Sequence, residues 1–484
     1  MKLNAKKEAK ALPVKTAAEA MLELRRTVAC CLLWEDSFYE GGETTAARIQ
    51  RLVPLCPYDF VAAVAVEART VHQLRHVPLL LLRELLRHPT GPGPVTHSSP
   101  VKDLIPQICT RADQLAELVQ MYWATNDGKK TLPAQLKKGL AAAFARFDAY
   151  ALAKNDHQSA EVKLRDVAFL AHPQTANDPR GVLFTPTVKA RIYKDKAGKV
   201  LGAGKVVRYD KTTLAQLCEN QLPTPETWEV KLSAAKGDAE RRAVFEDLLA
   251  GAKLGGLAWL RNLRKMDELG VGHGLLTEYG QDLALKGKLD GILPFQFRTA
   301  ARVCPWAERM LEPLMLRAVE GRVKLPGKTI ILVDVSGSMD SPLAQGKGRS
   351  EQLATLRLDA AEGLAMLARE ACESAEVWTF SNNLVLINPQ FRGFKLAKTL
   401  RESQPHSSTM LAAALRELKR RTTADRTLVI TDEQSNDGIA PPLGRGYVMN
   451  VASYEKGIGN AEAWTTISGW APAVLDYVAL AEAL

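Results

Sequence analysis

The sequence of 484 residues has few of the features that mark secreted, membrane-bound or zinc-binding proteins. It has seven cysteines and no CxxC pair, which argues against a disulfide framework and against a zinc ribbon. The longest apolar stretch, near 77–82, ends at Arg83, so no segment approaches the roughly 18 apolar residues of a membrane span. The Lys-rich start is not followed directly by the apolar core of a signal peptide. We therefore expect a cytoplasmic protein without membrane contacts.

Motifs of the common hydrolases are also missing. No GxSxG sequence surrounds Ser336 or Ser338, as a serine hydrolase of that type would require. His72 and His76 have a spacing that can hold zinc on a helix, but Gln73 stands where a metalloprotease helix has glutamate. No third ligand is evident, and we do not expect an enzyme.

The positive charge is concentrated in the N-terminal two-thirds of the chain. The whole sequence has 64 Lys and Arg against 54 Asp and Glu. From residue 326 onward there are 16 basic and 18 acidic residues, whereas the first 325 residues hold 48 basic and 36 acidic. This asymmetry predicts a polyanionic partner, with nucleic acid first, for the N-terminal part. A basic surface that serves only solubility is the alternative.

Residues 1–325 have the pattern of a helical-repeat domain. Apolar residues recur at helical spacing in a succession of segments joined by short polar loops. The predicted helical segments are 16–34, 61–88 (two helices broken near Pro78), 112–123, 132–154, 162–171, 240–252 and 257–269. No strict sequence period is present, and an α-solenoid with degenerate repeats fits the pattern.

A basic insertion at 187–209 interrupts this helical pattern. Apolar and basic residues alternate from Val188 to Ile192, and 195–198 supplies a turn, which is typical of a β-hairpin. Seven basic residues lie between Lys189 and Arg208. We expect the hairpin to contact phosphates through residues such as Lys189 and Arg191; a merely solvated hairpin is the alternative.

Residues 326–484 have the alternating pattern of a doubly wound α/β domain. Apolar, β-branched segments predict strands at 329–335, 376–380, 427–431, 447–452 and 475–480. Amphipathic segments predict helices at 351–373, 395–402 and 411–421. This order of elements is that of a parallel sheet covered by helices.

Oxygen-bearing side chains gather at the predicted carboxyl ends of two strands. Asp334, Ser336 and Ser338 follow the first strand, Thr409 lies in a later loop, and Asp432 ends the strand at 427–431. Ligands of open α/β sheets bind at this edge, and a few oxygens with low formal charge suit Mg²⁺. A turn that binds no metal is the alternative, since Ser and Asp also favour turns.

These five residues resemble the metal-ion-dependent adhesion site of a von Willebrand factor A (Rossmann-like) domain. The motif consists of DVSGSM at 334–339, a loop threonine and a strand-ending TD, in that order over about 100 residues. The resemblance implies that Ser336, Ser338 and Thr409 coordinate Mg²⁺ or another divalent cation. It also implies that the two aspartates act directly or through water, and that a ligand carboxylate often completes the coordination.

The N-terminal region resembles the TROVE module of the Ro ribonucleoprotein family. The resemblance rests on LRNLRKM at 260–266, ILPFQF at 292–297 and the stretch 132–172, in which LAKND precedes LRDVAFLAHP. A TROVE module followed by an A domain is the Ro architecture, a ring of HEAT-like helical repeats closed by the A domain. It implies binding of small noncoding Y RNAs on the outer surface and of single-stranded 3′ ends of misfolded RNA in the central hole. Bacterial relatives work with an exoribonuclease tethered by the Y RNA.

The resemblance also assigns RNA-binding residues. Lys154 and Arg165 would bind phosphates on the outer surface, His172 would stack or donate to the backbone, and Arg261 and Arg264 would face the hole. Solvated charges or structural polar contacts are the alternatives for each. The sequence thus predicts a monomeric RNA-binding protein for RNA quality control. The alternatives are a protein–protein scaffold that captures an acidic partner residue through Mg²⁺ and, third, an RNA-processing enzyme.

Overall fold

The computed structural model describes residues 16–29, 42–91, 99–144, 146–157, 159–173, 186–194, 200–209, 216–217, 222–320, 324–343, 356–432, 434–452, 463–469 and 473–483. Helices dominate up to residue 319, and a mixed six-stranded sheet with flanking helices follows. No described helix combines the length and the apolar character needed to cross a bilayer.

The first part of the helical region is a succession of short antiparallel helices. These are Ala17–Ala29 (α1), Gly42–Leu52 (α2), Tyr58–Thr70 (α3), Val77–Leu85 (α4), Val101–Ile108 (α5), Asp113–Ala124 (α6), Ala134–Phe144 (α7), Ala149–Asn155 (α8) and Leu164–Ala171 (α9). Each packs on near neighbours, as α3 does on α4 and α5, and α7 on α5 and α9. A Cβ at Gly139 would lie 2.5 Å from Ile105 Cδ1, so the close approach of α5 and α7 requires glycine there.

Two predicted helical segments divide differently in the structure. Within 61–88 the break falls between α3 and α4, and Pro78 lies in the first turn of α4. Proline is tolerated there because the N–H groups of a first turn have no acceptor within the helix. The segment 132–154 forms two helices, because Asp148 caps the start of α8 by accepting a hydrogen bond from Ala151 N at 2.7 Å.

The predicted basic hairpin is confirmed. Strands Pro186–Lys194 (β1) and Val200–Tyr209 (β2) pair antiparallel, with Lys189 opposite Val206 and Arg191 opposite Gly204. The predicted turn at 195–198 lies outside the described residues.

A second succession of helices follows the hairpin. It consists of Trp228–Ala234 (α10), Asp238–Ala250 (α11), Gly256–Glu268 (α12), His273–Leu285 (α13), Pro294–Val303 (α14) and Glu308–Val319 (α15). Helix α12 ends as predicted, with Gly270 in the left-handed conformation at φ +75°. The core of α11–α15 is continuous with one face of the sheet, whereas α1–α9 enclose a separate core.

The α/β unit is a sheet covered on both faces. Its strands are Leu325–Asp334 (β3), Cys372–Phe380 (β4), Leu384–Leu386 (β5), Arg426–Thr431 (β6), Arg445–Asn450 (β7) and Trp464–Ser468 (β8). Its helices are Arg357–Ala371 (α16), Gly393–Glu402 (α17), Leu411–Arg421 (α18) and Ala473–Ala483 (α19). The strand order is β5-β4-β3-β6-β7-β8, parallel except for β5.

Alternate residues of β3 reach the two sides of this sheet. Ile331 and Val333 join the core with α16, α17 and α19, while Ile330 and Leu332 pack with α18. A strand buried on both faces explains the continuous apolar sequence of β3. The predicted parallel α/β architecture is therefore confirmed.

The C-terminal end of the unit differs from the prediction. Residues 475–480 belong to helix α19, and the last strand is β8, which the sequence pattern did not indicate. Val474, Leu475, Tyr477 and Val478 are all buried, and such a short apolar run fits a buried strand and a buried helix equally well.

The α/β unit contacts both ends of the helical region. Helices α14 and α15 pack against α16 and α17, and α1 packs against α19. At the second contact His72 lies between two carboxylates, with Nε2 3.4 Å from Glu67 Oε1 and Nδ1 3.4 Å from Asp476 Oδ2. His72 and His76 lie in the segment between α3 and α4, so the helical zinc spacing does not apply.

The stability of this contact should depend on pH. Burial lowers the pKa of His72, but Asp476 and Glu67 outweigh burial and raise the pKa to about 9. The stabilisation is therefore complete below pH 6.5, the ordinary value, and is lost as pH rises through about 9. It amounts to about 3 kcal/mol at most. Urea unfolding at pH 6 and pH 9 should show this loss in the native protein and not in His72→Gln. His157→Gln, at a side chain that is 55% exposed, should behave like the native protein, and an equal pH dependence in His72→Gln would contradict the assignment.

Candidate metal site and RNA-binding surface

The predicted metal-binding residues lie at the point where the strand order reverses. The chain leaves β3 for β4 on one side and later returns to β6 on the other side. Asp334 is the last residue of β3, and Asp432 directly follows β6. Because neighbouring parallel strands end at the same edge, both carboxylates point toward one crevice.

Asp334 organises the loop that follows it, residues 335–340, which we call the serine loop. Its Oδ1 accepts a hydrogen bond from Ser336 N at 2.8 Å, and its Oδ2 accepts one from Thr431 Oγ1 at 2.6 Å. The hydroxyl oxygens of Ser336 and Ser338 lie 3.2 Å apart. Ser336 is buried and Ser338 is half-buried, so only the second hydroxyl is partly accessible to solvent.

Asp334 is destabilised as an anion. Burial, and secondarily the nearby Asp432, raise the pKa of Asp334 to about 7, although hydrogen bonds from Thr431 and Ser336 act in the opposite direction. A cation beside the carboxylate would favour its ionised form. A cation bound beside Asp334 would therefore be stabilised electrostatically.

The loop at 406–410, which we call the threonine loop, is held against the serine loop by a residue that the motif did not indicate. Ser381 follows β4, accepts a hydrogen bond from Ser407 N at 2.9 Å and donates one to Ser408 O at 3.0 Å. Gly337 N also donates to Ser407 O at 3.0 Å. Ser381 directly follows β4 as Asp432 directly follows β6, and that placement was the available sequence signal.

Thr409 is fixed from the side of Asp432. Its N–H donates to Asn436 Oδ1 at 3.2 Å, and Asn436 N donates to Thr409 O at 2.9 Å. Thr409 is buried. All five predicted residues therefore lie at the ends of β3 and β6 or in the loops beside them, and hydrogen bonds link these loops.

A buried arginine occupies this crevice as well. Arg357, the first residue of α16, donates from Nη1 to Asp432 Oδ2 at 2.9 Å and to Ser338 O at 3.2 Å. Its side chain is 9% exposed and that of Asp432 is fully buried. Arg357 links the serine loop to Asp432, and no sequence motif marked it, because 75 residues separate the two partners.

His406 of the threonine loop contacts Asp340, the last residue of the serine loop. His406 Nδ1 lies 2.8 Å from Asp340 Oδ2, and Nε2 lies 2.9 Å from Arg401 O. Burial lowers the pKa of His406, but these two contacts outweigh it and raise the pKa above its ordinary value. The threonine loop is thereby tied to both ends of the serine loop.

The side chains at this crevice are mostly oxygen donors, and one of the two carboxylates, Asp432, already pairs with Arg357. Within the described residues no group of three or more His, Cys, Asp or Glu side chains is arranged to bind a metal. The crevice instead offers hydroxyl oxygens with two carboxylates beside them, which suits Mg²⁺ with several retained waters. Burial and the neighbouring Asp432 raise the pKa of Asp334, and a nearby cation would lower it again.

The predicted outer-surface RNA residues lie at the exposed ends of α8 and α9. Lys154 is exposed, and its Nζ lies 5.9 Å from the ring centroid of Tyr150, one turn earlier. Arg165 is half-buried, with Nε 3.8 Å from Asp166 Oδ1. His172 is exposed and ends α9 in the left-handed conformation, with φ 48°.

Two exposed aromatic residues accompany these cations. Tyr150 is 48% exposed and Phe169 is 58% exposed. Phe169 lies four residues after Arg165, so these two residues share one face of α9, and His172 directly follows the helix. Sequence analysis missed both aromatic residues, since burial cannot be read from α9's apolar pattern alone.

The other predicted RNA contacts have less structural definition. Arg261 and Arg264 are exposed on α12, whose Leu260 and Leu263 are buried. Arg264 Nε lies 3.6 Å from Glu268 Oε1. Lys189 and Arg191 lie in β1, where only the backbone is described.

The arrangement of all these elements matches a solved structure. The crystal structure of the Ro (RSR) protein from Deinococcus radiodurans superposes with a TM-score of 0.59, over 94% of this chain and 99% of that chain, at 15% sequence identity. This chain has the Ro fold. The family resemblance of the sequence is thus confirmed at the level of the whole fold, including the order of a helical region followed by an α/β unit.

A second solved structure is similar to only part of this chain. An aerotolerance-related membrane protein from Bacteroides fragilis, solved with multiple mutations to serine, aligns over 32% of this chain and 86% of its own at 19% identity, with a TM-score of only 0.20. No family model and no curated protein sequence matches this chain. This chain therefore shares its fold with a protein to which it is only 15% identical in sequence.

Proposed function

We propose that this protein binds RNA as a Ro-type ribonucleoprotein and is not an enzyme. The proposal is supported by the Ro fold and by five basic or aromatic side chains of α8, α9 and the end of α9, all exposed except the half-buried Arg165: Tyr150, Lys154, Arg165, Phe169 and His172. Cations bind phosphates without regard to sequence, and exposed rings stack on unpaired bases. We call these five residues the outer surface; a small noncoding, Y-like RNA is its proposed ligand.

The contacts at both ends of the helical region support a closed ring. Because α1 reaches α19 while α14 and α15 reach α16 and α17, the α/β unit bridges the first and last helices of a HEAT-like arc. Exposed Arg261 and Arg264 are the proposed lining of the central hole. Such a hole would admit the single-stranded 3′ end of a misfolded RNA and exclude a duplex, which suits cytoplasmic RNA quality control by a monomer. An exoribonuclease tethered by the bound RNA is the proposed protein partner.

Crosslinking tests the function directly. Ultraviolet crosslinking in the native cells, followed by sequencing of attached RNA, should recover a small structured RNA at the outer surface and RNA 3′ ends elsewhere. Purified protein should also carry RNA that high salt removes. Protein that is free of RNA, and that captures another protein only when Mg²⁺ is present, would instead support the scaffold function.

Removing one exposed ring should weaken RNA binding. Phe169→Ala should lower the affinity for a structured RNA with unpaired loops by about 5- to 150-fold, because stacking contributes roughly 1–3 kcal/mol per base. Fluorescence anisotropy measures the affinity. Leu285→Ala, which truncates another apolar side chain with 69% exposure, is the matched control. If both variants bind equally well, Phe169 does not stack on RNA.

We further propose that the crevice at Asp334 binds Mg²⁺ or a similar divalent cation. Ser336, Ser338 and Thr409 would hold the ion, with Asp334 and Asp432 acting directly or through water. The ion would supply a positive charge that can attract an anionic group from outside, because Gly337 is exposed and Ser338 is half-buried. That opening is the observation that favours the second function, in which an acidic residue of a partner protein completes the site.

Metal binding should stabilise the fold measurably. Mg²⁺ at about 100 times its Kd should raise the free energy of unfolding by about 2.7 kcal/mol, and Ser336→Ala or Ser338→Ala should abolish the effect. Urea unfolding in EDTA and in Mg²⁺ measures it, and Mn²⁺ paramagnetic resonance reports binding directly. Ser341→Ala is the control, since Ser341 contacts this region through its backbone. A native protein that is indifferent to both ions would remove the metal site.

A further inference from the structure

A cleft of about 140 Å³ lies where α14 of the helical region meets the α/β unit. It is lined by Arg298, Thr299, Arg302, Asp359 and Arg401, and we call it the arginine cleft. None of these residues belongs to the candidate metal site or to the outer surface. Three guanidinium groups around one small space are unusual, because each repels the others.

The two carboxylates in this region are already engaged. Arg401 donates from Nη2 to Asp359 Oδ1 and from Nε to Glu362 Oε1, both at 2.8 Å. Arg302 Nη1 lies 3.4 Å from each oxygen of Asp359, which is a long and divided contact. Asp359 also accepts a hydrogen bond from Leu356 N at 2.8 Å. The carboxylates thus hold Arg401 firmly and Arg302 loosely.

Arg298 is the cation with the fewest partners. Within the described residues it forms no ion pair, and its guanidinium carbon lies 5.7 Å from the ring centroid of Phe394. Even with Asp359 and Glu362 both ionised, three arginines leave the cleft with a net positive charge. Arg298 and Arg302 therefore retain donors that an anion can use.

Glu362, which pairs with Arg401, is not itself one of the residues that line the cleft. It is fully buried, yet its Oε2 has no hydrogen-bond partner in the part of the chain that the structure describes. A buried polar atom without a partner is costly and rare in a finished interior. Burial also raises the pKa of Glu362 to about 7. When Glu362 is protonated, the net charge of this region is more positive.

We propose that the arginine cleft is a binding site for a phosphate group. Guanidinium groups pair with phosphate oxygens through two parallel hydrogen bonds, and the hydroxyl of Thr299 adds a neutral donor. The phosphate could come from the backbone of a bound RNA strand or from a free nucleotide. The RNA source rests on the proposed function, whereas the binding of phosphate itself does not.

Calorimetry on the full-length, RNA-free protein tests the site. Inorganic phosphate and cytidine 3′-monophosphate should each bind, and Arg298→Gln or Arg302→Gln should weaken binding by about tenfold or more, as expected for a lost hydrogen bond to a charged group. Arg309→Gln, at an exposed arginine on α15, should leave binding unchanged. Thermal unfolding shows whether each variant is folded. Lack of binding to the native protein, or equal binding by all variants, overturns the proposal.

A competition experiment distinguishes the two sources. If the cleft holds an RNA phosphate, Arg298→Gln should also weaken binding of a single-stranded oligonucleotide, and inorganic phosphate should compete with that oligonucleotide. If the cleft holds a free nucleotide, Arg298→Gln should reduce only the binding of cytidine 3′-monophosphate. Either result supports a phosphate site, and the second leaves the RNA-binding function to be judged by the outer surface alone.

Discussion

Arg357→Met should lower the free energy of unfolding by about 3–5 kcal/mol, because removing one member of a buried ion pair leaves the other without compensation. Arg357 donates to Asp432 at 2.9 Å, and the carboxylate of Asp432 is fully buried. Methionine has a similar length, so the loss measures charge more than volume. Chemical denaturation in EDTA gives the value without a contribution from metal.

The double variant Arg357→Met/Asp432→Asn is the control for this prediction. Since it removes both charges, it should be clearly more stable than Arg357→Met alone. Equal stability of the single and double variants would show that Asp432 is not the group that Arg357 compensates.

The second large effect concerns salt. Raising the salt concentration from 50 to 200 mM should weaken RNA binding by about 10³-fold or more, as expected when a protein contacts at least six phosphates or so. The net charge of +12 in the first 325 residues, from 48 basic and 36 acidic residues, supplies enough cations. Filter binding or anisotropy over a salt series gives the slope of log affinity against log salt.

Single variants locate the phosphate contacts. Lys154→Gln and Arg165→Gln should each reduce this slope by about one. Arg420→Gln should not, because Arg420 is 73% exposed on the α/β unit and pairs with Glu417. A slope near zero in the native protein would contradict binding through phosphates.

The metal crevice was the part of the site most accessible from sequence. A buried parallel strand has a continuous apolar pattern, so the ends of β3 and β6 could be located from their residues. Asp334 and Asp432 then follow at those ends, and parallel geometry brings them together. This reasoning uses only local patterns and one rule of sheet topology.

The parts that were missed depend on contacts between distant segments. Arg357 lies within the helix predicted at 351–373, but its pairing with Asp432 exists only after α16 packs beside β6. The arginine cleft likewise combines residues of α14, α16 and α17, for which no local pattern exists. The exposure of Phe169 could not be predicted for the same reason.

The segment 475–480 was predicted as a strand but forms part of helix α19, and this error has a physical cause. Both faces of α19 are apolar over much of its length, since it packs on the sheet as well as near α1. The true last strand, β8, has five residues and a partly exposed surface. Short edge strands leave a weak signal in the pattern of apolar residues.

The contact of α1 with α19 has a consequence for biosynthesis. Residues near position 20 complete their burial against residues near position 475, so nearly the whole chain must leave the ribosome before this seam can form. Until then the side of α1 that packs on α19 stays exposed to solvent, because contacts between residues far apart in sequence form slowly. The contact between α1 and α19 is therefore expected to form late, and a chaperone that shields α1 would act before it forms.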